Sequence, residues 1–169
     1  MQGFVALGSN LGDRRRNLVA GLDGLRAAGL EPRARSSVWE TEPVDAPGAR
    51  WFWNMVVELG TELGPFELLE RLLAIERAAG RTRLGRNAPR TLDLDLLLLG
   101  SLVVRDGRLT LPHPRMWRRR FVLEPLCEIA PGLIRGETGR TALEERDRLR
   151  DGPRVERLGP LAWPEEHPV

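Results

Sequence analysis

A mixed α+β fold is predicted by three observations. The 169 residues suit one globular domain, and 41% of them are hydrophobic against 30% charged, enough apolar material for a core. Runs with the two-residue period of strands are interleaved with runs whose Leu residues recur at helical spacing. Over residues 4–99 the order is strand, helix, strand, strand, helix, strand.

Phe4-Val5-Ala6-Leu7 reads as a short buried strand, Gly8-Ser9-Asn10-Leu11-Gly12 as the turn after it, and Asp13 as a helix N-cap. Leu18, Leu22 and Leu25 make Asp13–Ala28 an amphipathic helix that ends near Gly29. Arg33–Glu40, with the β-formers Val38 and Trp39, and Trp51–Gly60 are strands separated by a loop holding Pro43, Pro47 and Gly48. Pro65 suits the first position of a helix whose apolar face is Leu68, Leu69, Leu72, Leu73 and Ile75, and Gly80 stops it. A polar, Arg-rich loop over 81–90 leads into Thr91–Leu99, the strongest strand signal. Asp106-Gly107 then joins two extended runs as a hairpin. Pro112-His113-Pro114 breaks the chain before a helical region, Met116–Glu128, interrupted near Pro125. Thr141–Arg150 is a charged helix, Val155–Leu158 a small strand, and about 160–169 a loose tail. This order is the split βαβ, ferredoxin-like arrangement in one domain over 1–169: an antiparallel sheet with helices on one face, plus an additional hairpin and C-terminal helices. A ligand would then use the other face or the loops after Glu40 and Gly80.

The formal net charge is only +2, from 26 basic against 24 acidic residues, although the sequence pI is 9.8. Every basic residue is Arg and there is no Tyr, so the high pI reflects missing titrating groups rather than a basic field, and neither a nucleic-acid nor a membrane partner is expected. No run approaches the roughly 18 apolar residues of a membrane span. The start Met1-Gln2-Gly3-Phe4-Val5 lacks the features of a signal peptide, and the single Cys127 excludes an internal disulfide, so a cytoplasmic protein with a buried thiol is expected. A monomer is expected too, since no segment is a spare apolar stripe. With only His113 and His167, a structural zinc site is not.

The chemistry concentrates in Arg90-Thr91-Leu92-Asp93-Leu94-Asp95-Leu96-Leu97. On a strand, Asp93 and Asp95 point one way while Leu92, Leu94 and Leu96 point the other, into the core. Two neighbouring carboxylates call for a cation, and oxygen ligands at this spacing suit Mg²⁺ completed by water and phosphate oxygens. The plainer alternative is a solvent-facing pair matched by Arg. Arg81, Arg83, Arg86 and Arg90 precede the pair and Arg115, Arg118, Arg119 and Arg120 follow it, a charge pattern that polyphosphate transfer needs. Neither a P-loop nor a G-x-G-x-x-G motif is present. A third set is aromatic and polar: Trp51, Phe52, Trp53 and Asn54, with Trp117 and Phe121. A flat heterocycle can stack on such rings while the Asn54 amide reads its edge. Phe52 and Asn54 share one strand face and Trp53 lies opposite.

Gly8-Ser9-Asn10-Leu11, Glu40-Thr41-Glu42-Pro43, Phe52-Trp53-Asn54, Gly80-Arg81, Pro89-Arg90-Thr91-Leu92-Asp93-Leu94-Asp95 and Leu111-Pro112-His113-Pro114 together resemble the 6-hydroxymethyl-7,8-dihydropterin pyrophosphokinases of folate biosynthesis over roughly residues 4 to 131. The resemblance implies a ferredoxin-like fold and Mg²⁺-dependent transfer of pyrophosphate from the co-substrate ATP to the pterin hydroxymethyl group, releasing AMP. It implies that Asp93 and Asp95 hold two Mg²⁺ ions and that Arg81 and Arg90 close over the phosphates. Arg83, His113 and Arg119 are implied as ATP contacts, with Glu76 an acidic position near the nucleotide. Phe52 and Phe121 are implied to sandwich the pterin, whose edge is read by Asn54 with backbone groups near Thr41 and Val44. This chain departs from the family pattern at Asn87-Ala88 and Pro114, where aromatics are common, and at Trp39, where Tyr is usual. Competing readings are another Mg²⁺-dependent phosphoryl or nucleotidyl transferase, an inert ferredoxin-like binding relative, and an RNA-binding module stacking bases on the aromatic strand. The last leaves the Asp pair facing a polyanion without purpose.

Overall fold

The computed structural model describes residues 1–44, 48–80, 89–149 and 151–163. In chain order the elements are β1 (Gln2–Ser9), α1 (Arg14–Ala27), β2 (Pro32–Arg35), β3 (Val38–Thr41), β4 (Phe52–Gly60), α2 (Pro65–Ala78), β5 (Asp93–Leu99), β6 (Val104–Arg105) and β7 (Thr110–Leu111). A 3₁₀ turn (Met116–Arg118), α3 (Arg120–Ile129), α4 (Ala142–Arg148) and β8 (Val155–Gly159) complete the chain. The main sheet runs β5-β1-β4-β3-β8, with β2 also paired to β4, and every pairing is antiparallel. β6 and β7 form the expected separate hairpin around Asp106-Gly107.

Local chemistry accounts for the helix ends. The Asp13 side chain accepts from the Arg16 N–H at 2.9 Å, and the chain leaves α1 through Gly29 at φ +73, a left-handed turn that L side chains avoid. Pro65 opens α2, and Leu68, Leu72 and Ile75 are its buried apolar positions. α4 begins with a reciprocal capping box between Thr141 and Glu144.

The two helices of the core, α1 and α2, share one face as the sequence predicts, while α3, whose face the sequence leaves open, covers the other. Leu18, Leu22 and Leu25 of α1 and Leu68, Leu72 and Ile75 of α2 pack with Val5, Leu7, Met55, Val57, Leu94 and Leu96 on one side. On the other side Val122, Leu123, Leu126 and Cys127 of α3 pack with Phe4, Val56 and Leu97, together with Met116 and Trp117. The expected buried thiol is found: burial pushes Cys127 up to about 11. α3 closes one end of this second face and leaves Phe52, Asp93 and Asp95 half-buried at the other.

Other boundaries shift for identifiable reasons. β1 continues through Gly8 and Ser9, predicted as turn, because both residues pair with β4. The single strand expected over Arg33–Glu40 is divided at Ser36-Ser37. There the Ser36 hydroxyl accepts from the Val56 N–H at 2.9 Å and donates to the Ser37 carbonyl at 2.7 Å. The break expected near Pro125 falls instead at Arg119, which is extended (φ −116, ψ 108). Pro125 lies inside α3, where it forfeits one hydrogen bond to the Phe121 carbonyl while its buried neighbours hold the helix.

The tail also begins later than expected. Leu161 and Trp163 are 8% and 7% exposed and belong to the core on the α1 side. The Trp163 indole N–H donates to Asp23 at 2.8 Å, and Arg26 and Arg35 stack on its ring at 3.8 and 4.8 Å. Residues 164–169 lie outside the described residues. Trp163→Ala is therefore expected to lower unfolding stability by about 3 kcal/mol in urea denaturation. A loss under about 0.5 kcal/mol, the scale of ordinary surface substitutions, would show that this segment is a loose tail after all.

Candidate active site

Strand pairing assembles the site. In the β1–β4 ladder Gly8 is opposite Asn54, and in the β1–β5 ladder Gly8 is opposite Asp93, so Asn54, Gly8 and Asp93 form one row across the sheet. The neighbouring row is Val56, Ala6 and Asp95. On the far side of β4, Trp39 is opposite Asn54 and Thr41 is opposite Phe52. Directly paired residues share a face, so Phe52, Asn54, Asp93 and Asp95 all project from the half-open face. The Asn54 amide N–H donates to the Thr41 hydroxyl at 2.6 Å, both residues being buried. A side chain at Gly8 would put its Cβ 2.7 Å from the side-chain Oδ1 of Asn54, so glycine is what lets the Asn54 amide lie over β1.

The carboxylate pair is held from behind and from its flank. Glu76 of α2 is 2% exposed, and its carboxylate accepts the Leu94 N–H at 2.7 Å, between the two aspartates. The residue implied as lying near the nucleotide thus supports β5 from within the core. Arg90 forms an ion pair with Asp93. Asn10 sets the position of Arg90: its side-chain oxygen accepts the Arg90 N–H at 2.7 Å, and the Asn10 and Leu11 N–H groups donate to the Arg90 carbonyl at 3.1 and 3.2 Å. The Asn10 amide also reaches the Arg50 carbonyl at 3.4 Å, just ahead of β4.

His113 and Arg119 feel the same charges. The His113 N–H donates to the Leu97 carbonyl at 2.6 Å, which seats the residue beside β5. Burial, reinforced by Arg119 and Arg115 and opposed by a hydrogen bond to its own backbone and then by Asp93, lowers its pKa from 6.5 to about 4. The ring is therefore neutral near pH 7. Its Nδ1 accepts from the Arg115 N–H at 3.2 Å, which leaves the proton on Nε2 as a donor. Burial and then Arg115 depress the Arg119 guanidinium from its usual value, while Asp95 and Asp93 pull it back. Arg119 also sits 5.3 Å from the centre of the Phe121 ring.

Asp93, Asp95, Arg90, His113 and Arg119 are thus brought together, and Phe52, Asn54 and Thr41 form the adjoining wall. Phe121 is half-buried in the first turn of α3, which packs on β4, and Val44 is exposed in the loop after β3. Arg81 and Arg83 lie outside the described residues. The basic run after the hairpin is divided rather than focused, since Arg120 turns to Glu124 at 2.8 Å. Sequence reasoning missed the roles of Gly8 and Asn10. Their signal was the Gly8-Ser9-Asn10-Leu11 motif itself, read as a turn because the partners of Gly8 and Asn10 are 40 to 85 positions away in the chain.

No group of three or more His, Cys, Asp or Glu able to hold a metal alone occurs among the described residues. Two hard carboxylate ligands on one strand face fit a Mg²⁺ ion that takes its remaining ligands from water and a phosphate chain rather than from a protein cage.

The chain matches the family model described as 7,8-dihydro-6-hydroxymethylpterin-pyrophosphokinase over residues 4–131. It is 44% identical over 146 residues to the 2-amino-4-hydroxy-6-hydroxymethyldihydropteridine pyrophosphokinase of Methylorubrum extorquens, covering 85% of this chain and 92% of that one. The Bacillus subtilis protein of the same name is 46% identical over 127 residues, with coverage of 75% and 76%. In fold, it is similar to a crystal structure of Plasmodium falciparum HPPK-DHPS, with a TM-score of 0.68, 12% identity and 87% of this chain covered. This chain spans 43% of that larger one.

A proton-resonance titration of His113 is expected to give a midpoint near pH 4. Between pH 6.5 and 4 the unfolded chain binds a proton that the folded chain refuses, so this residue's contribution to stability is intact above 6.5 and is lost as the pH falls toward 4. His113→Gln should flatten that part of the stability profile; a midpoint at 6.5 would refute the buried, neutral ring.

Proposed function

The chain belongs to the 7,8-dihydro-6-hydroxymethylpterin-pyrophosphokinase family, and we propose that its reaction is carried by the face on which β4, β1 and β5 present Asn54, Gly8 and Asp93. It is an enzyme of folate biosynthesis that transfers pyrophosphate, with ATP as co-substrate. In the reaction we assign, the pterin hydroxymethyl oxygen bonds to the β-phosphorus of ATP and loses its proton. The bond from that phosphorus to the oxygen bridging the α-phosphate breaks, and AMP leaves.

The observation that carries this reading is the row Asn54, Gly8, Asp93. Across two strand spacings an amide able to read a heterocycle stands about 10 Å from a carboxylate suited to a phosphate-bound cation, a distance that a bicyclic ring and its hydroxymethyl arm bridge. Phe52 and Phe121 supply the stacking faces, and Asn54, steadied by Thr41, reads the pterin edge with backbone groups near Val44. Asp93 and Asp95 are the residues that would hold Mg²⁺, two ions in all. The metal would neutralise the phosphates and draw the two reactants together. Arg90 and Arg119 add positive charge beside the aspartates, and His113, with Nδ1 occupied by the Arg115 N–H, is placed to offer Nε2–H to a phosphate oxygen. Glu76 serves the nucleotide side by fixing β5. We assign Arg81 and Arg83, which follow α2 in the chain, to the phosphates as well.

The strand order supports a ferredoxin-like core, and we read the protein as a cytoplasmic monomer acting on small molecules, not on nucleic acid or membranes. With ATP, Mg²⁺ and 6-hydroxymethyl-7,8-dihydropterin, AMP is expected to form only when pterin is present, and Asp95→Ala should slow it on the order of 100-fold or more. Production of ADP would make the protein a γ-phosphoryl kinase. AMP formation independent of the pterin would refute the acceptor.

A further inference from the structure

Glu128 stands in the last turn of α3, where a carboxylate opposes the helix dipole and no basic residue of that turn compensates it. Three donors from outside the helix converge on it instead. The Ser37 N–H reaches Oε2 at 3.0 Å, while Oε1 accepts the Trp39 indole N–H at 2.6 Å and the Arg157 Nε–H at 3.3 Å. Ser37 immediately precedes β3, Trp39 lies within it, and Arg157 belongs to β8, which pairs with β3.

The other end of the same helix carries Phe121. Seven residues separate Phe121 from Glu128, within about 20° of two full turns, so the two side chains leave one side of α3 roughly 10 Å apart along its axis. The strand gripped by Glu128 is equally committed to the site. Trp39 is directly opposite Asn54, and Thr41, two residues further on, accepts the Asn54 amide.

We propose that Glu128 is a positioning residue for the pterin half of the reaction, fastening the helix that bears Phe121 to the strand that backs Asn54 and so setting the gap into which the pterin ring slides. It does this without touching either substrate. The inference rests on the assignment of Phe52, Asn54, Thr41 and Phe121 to the pterin.

The chemistry of the junction makes the role testable. A carboxylate accepts through both oxygens, whereas a glutamine amide would turn an NH₂ group toward one of the incoming donors. Trp39→Phe removes a single donor and keeps a ring in place. In steady-state assays of the full chain, Glu128→Gln should raise the KM for the pterin about tenfold, the loss expected for one charge-assisted hydrogen bond, with kcat and the KM for ATP changed less than about twofold. Trp39→Phe should raise the same constant by less, and the double variant should be no worse than Glu128→Gln alone, because both remove one contact. Asn54→Ala, run alongside, separates the two layers of the argument. If Asn54→Ala leaves the pterin KM unchanged, the assignment of the pterin wall falls. If Asn54→Ala raises it while Glu128→Gln does not, the positioning role is overturned. It is overturned equally if Glu128→Gln degrades kcat and both KM values together with the melting temperature, which is the signature of a merely structural residue.

Discussion

Because β1 pairs through Gly8 with Asn54 on one side and Asp93 on the other, a slip of one residue in either ladder would invert a neighbour's faces. Asp93 and Asp95 would then enter the core now filled by Leu94 and Leu96, and Phe52 and Asn54 would trade places with Trp53 and Met55. Burying the aspartates there would cost far more than the ladder's hydrogen bonds return, so the hydrophobic core against α1 and α2 enforces the register that builds the site. One side of the sheet is specified by burial, and the other inherits its geometry.

What the register leaves undecided is settled by polar side chains bonding to backbone. Asn10 clamps the Arg90 peptide, Glu76 holds the Leu94 N–H, Ser36 replaces a ladder partner at the bend before β3, and Glu128 takes the Ser37 N–H. Each joins segments far apart in the chain, and each is short-ranged, so it fixes position more than it adds stability. The site is consequently a set of peptide groups pinned from several directions, with functional side chains mounted on them.

The parts readable from the sequence were those whose physics is local. Period-two alternation was enough to put Asp93 and Asp95 on one face, helical spacing located α1 and α2, and Asp13 and Pro65 marked their starts. Segments whose form depends on distant partners were misread. Gly8 and Ser9 look like a turn until β4 is beside them, and Trp163 looks like tail until Asp23, Arg26 and Arg35 enclose its ring. The second helical layer was missed for the same reason: α3 has one strongly apolar side, but nothing along the chain states which face of the sheet that side meets. The basic run Arg115–Arg120 could not be sorted in advance either, since the extended residue Arg119 sends its neighbours in different directions.

β5 lies at the margin of the sheet, with β1 on one side and, among the described residues, no strand on the other. A margin of this kind offers unpaired N–H and C=O groups to any passing extended chain, which is how folded proteins come to zip together into aggregates. Glu76 occupies the Leu94 N–H with a buried carboxylate, and the opposite margin, β8, carries the exposed charged residues Glu156 and Arg157. The buttress beneath the aspartate pair therefore also takes one backbone donor off the open margin of the sheet.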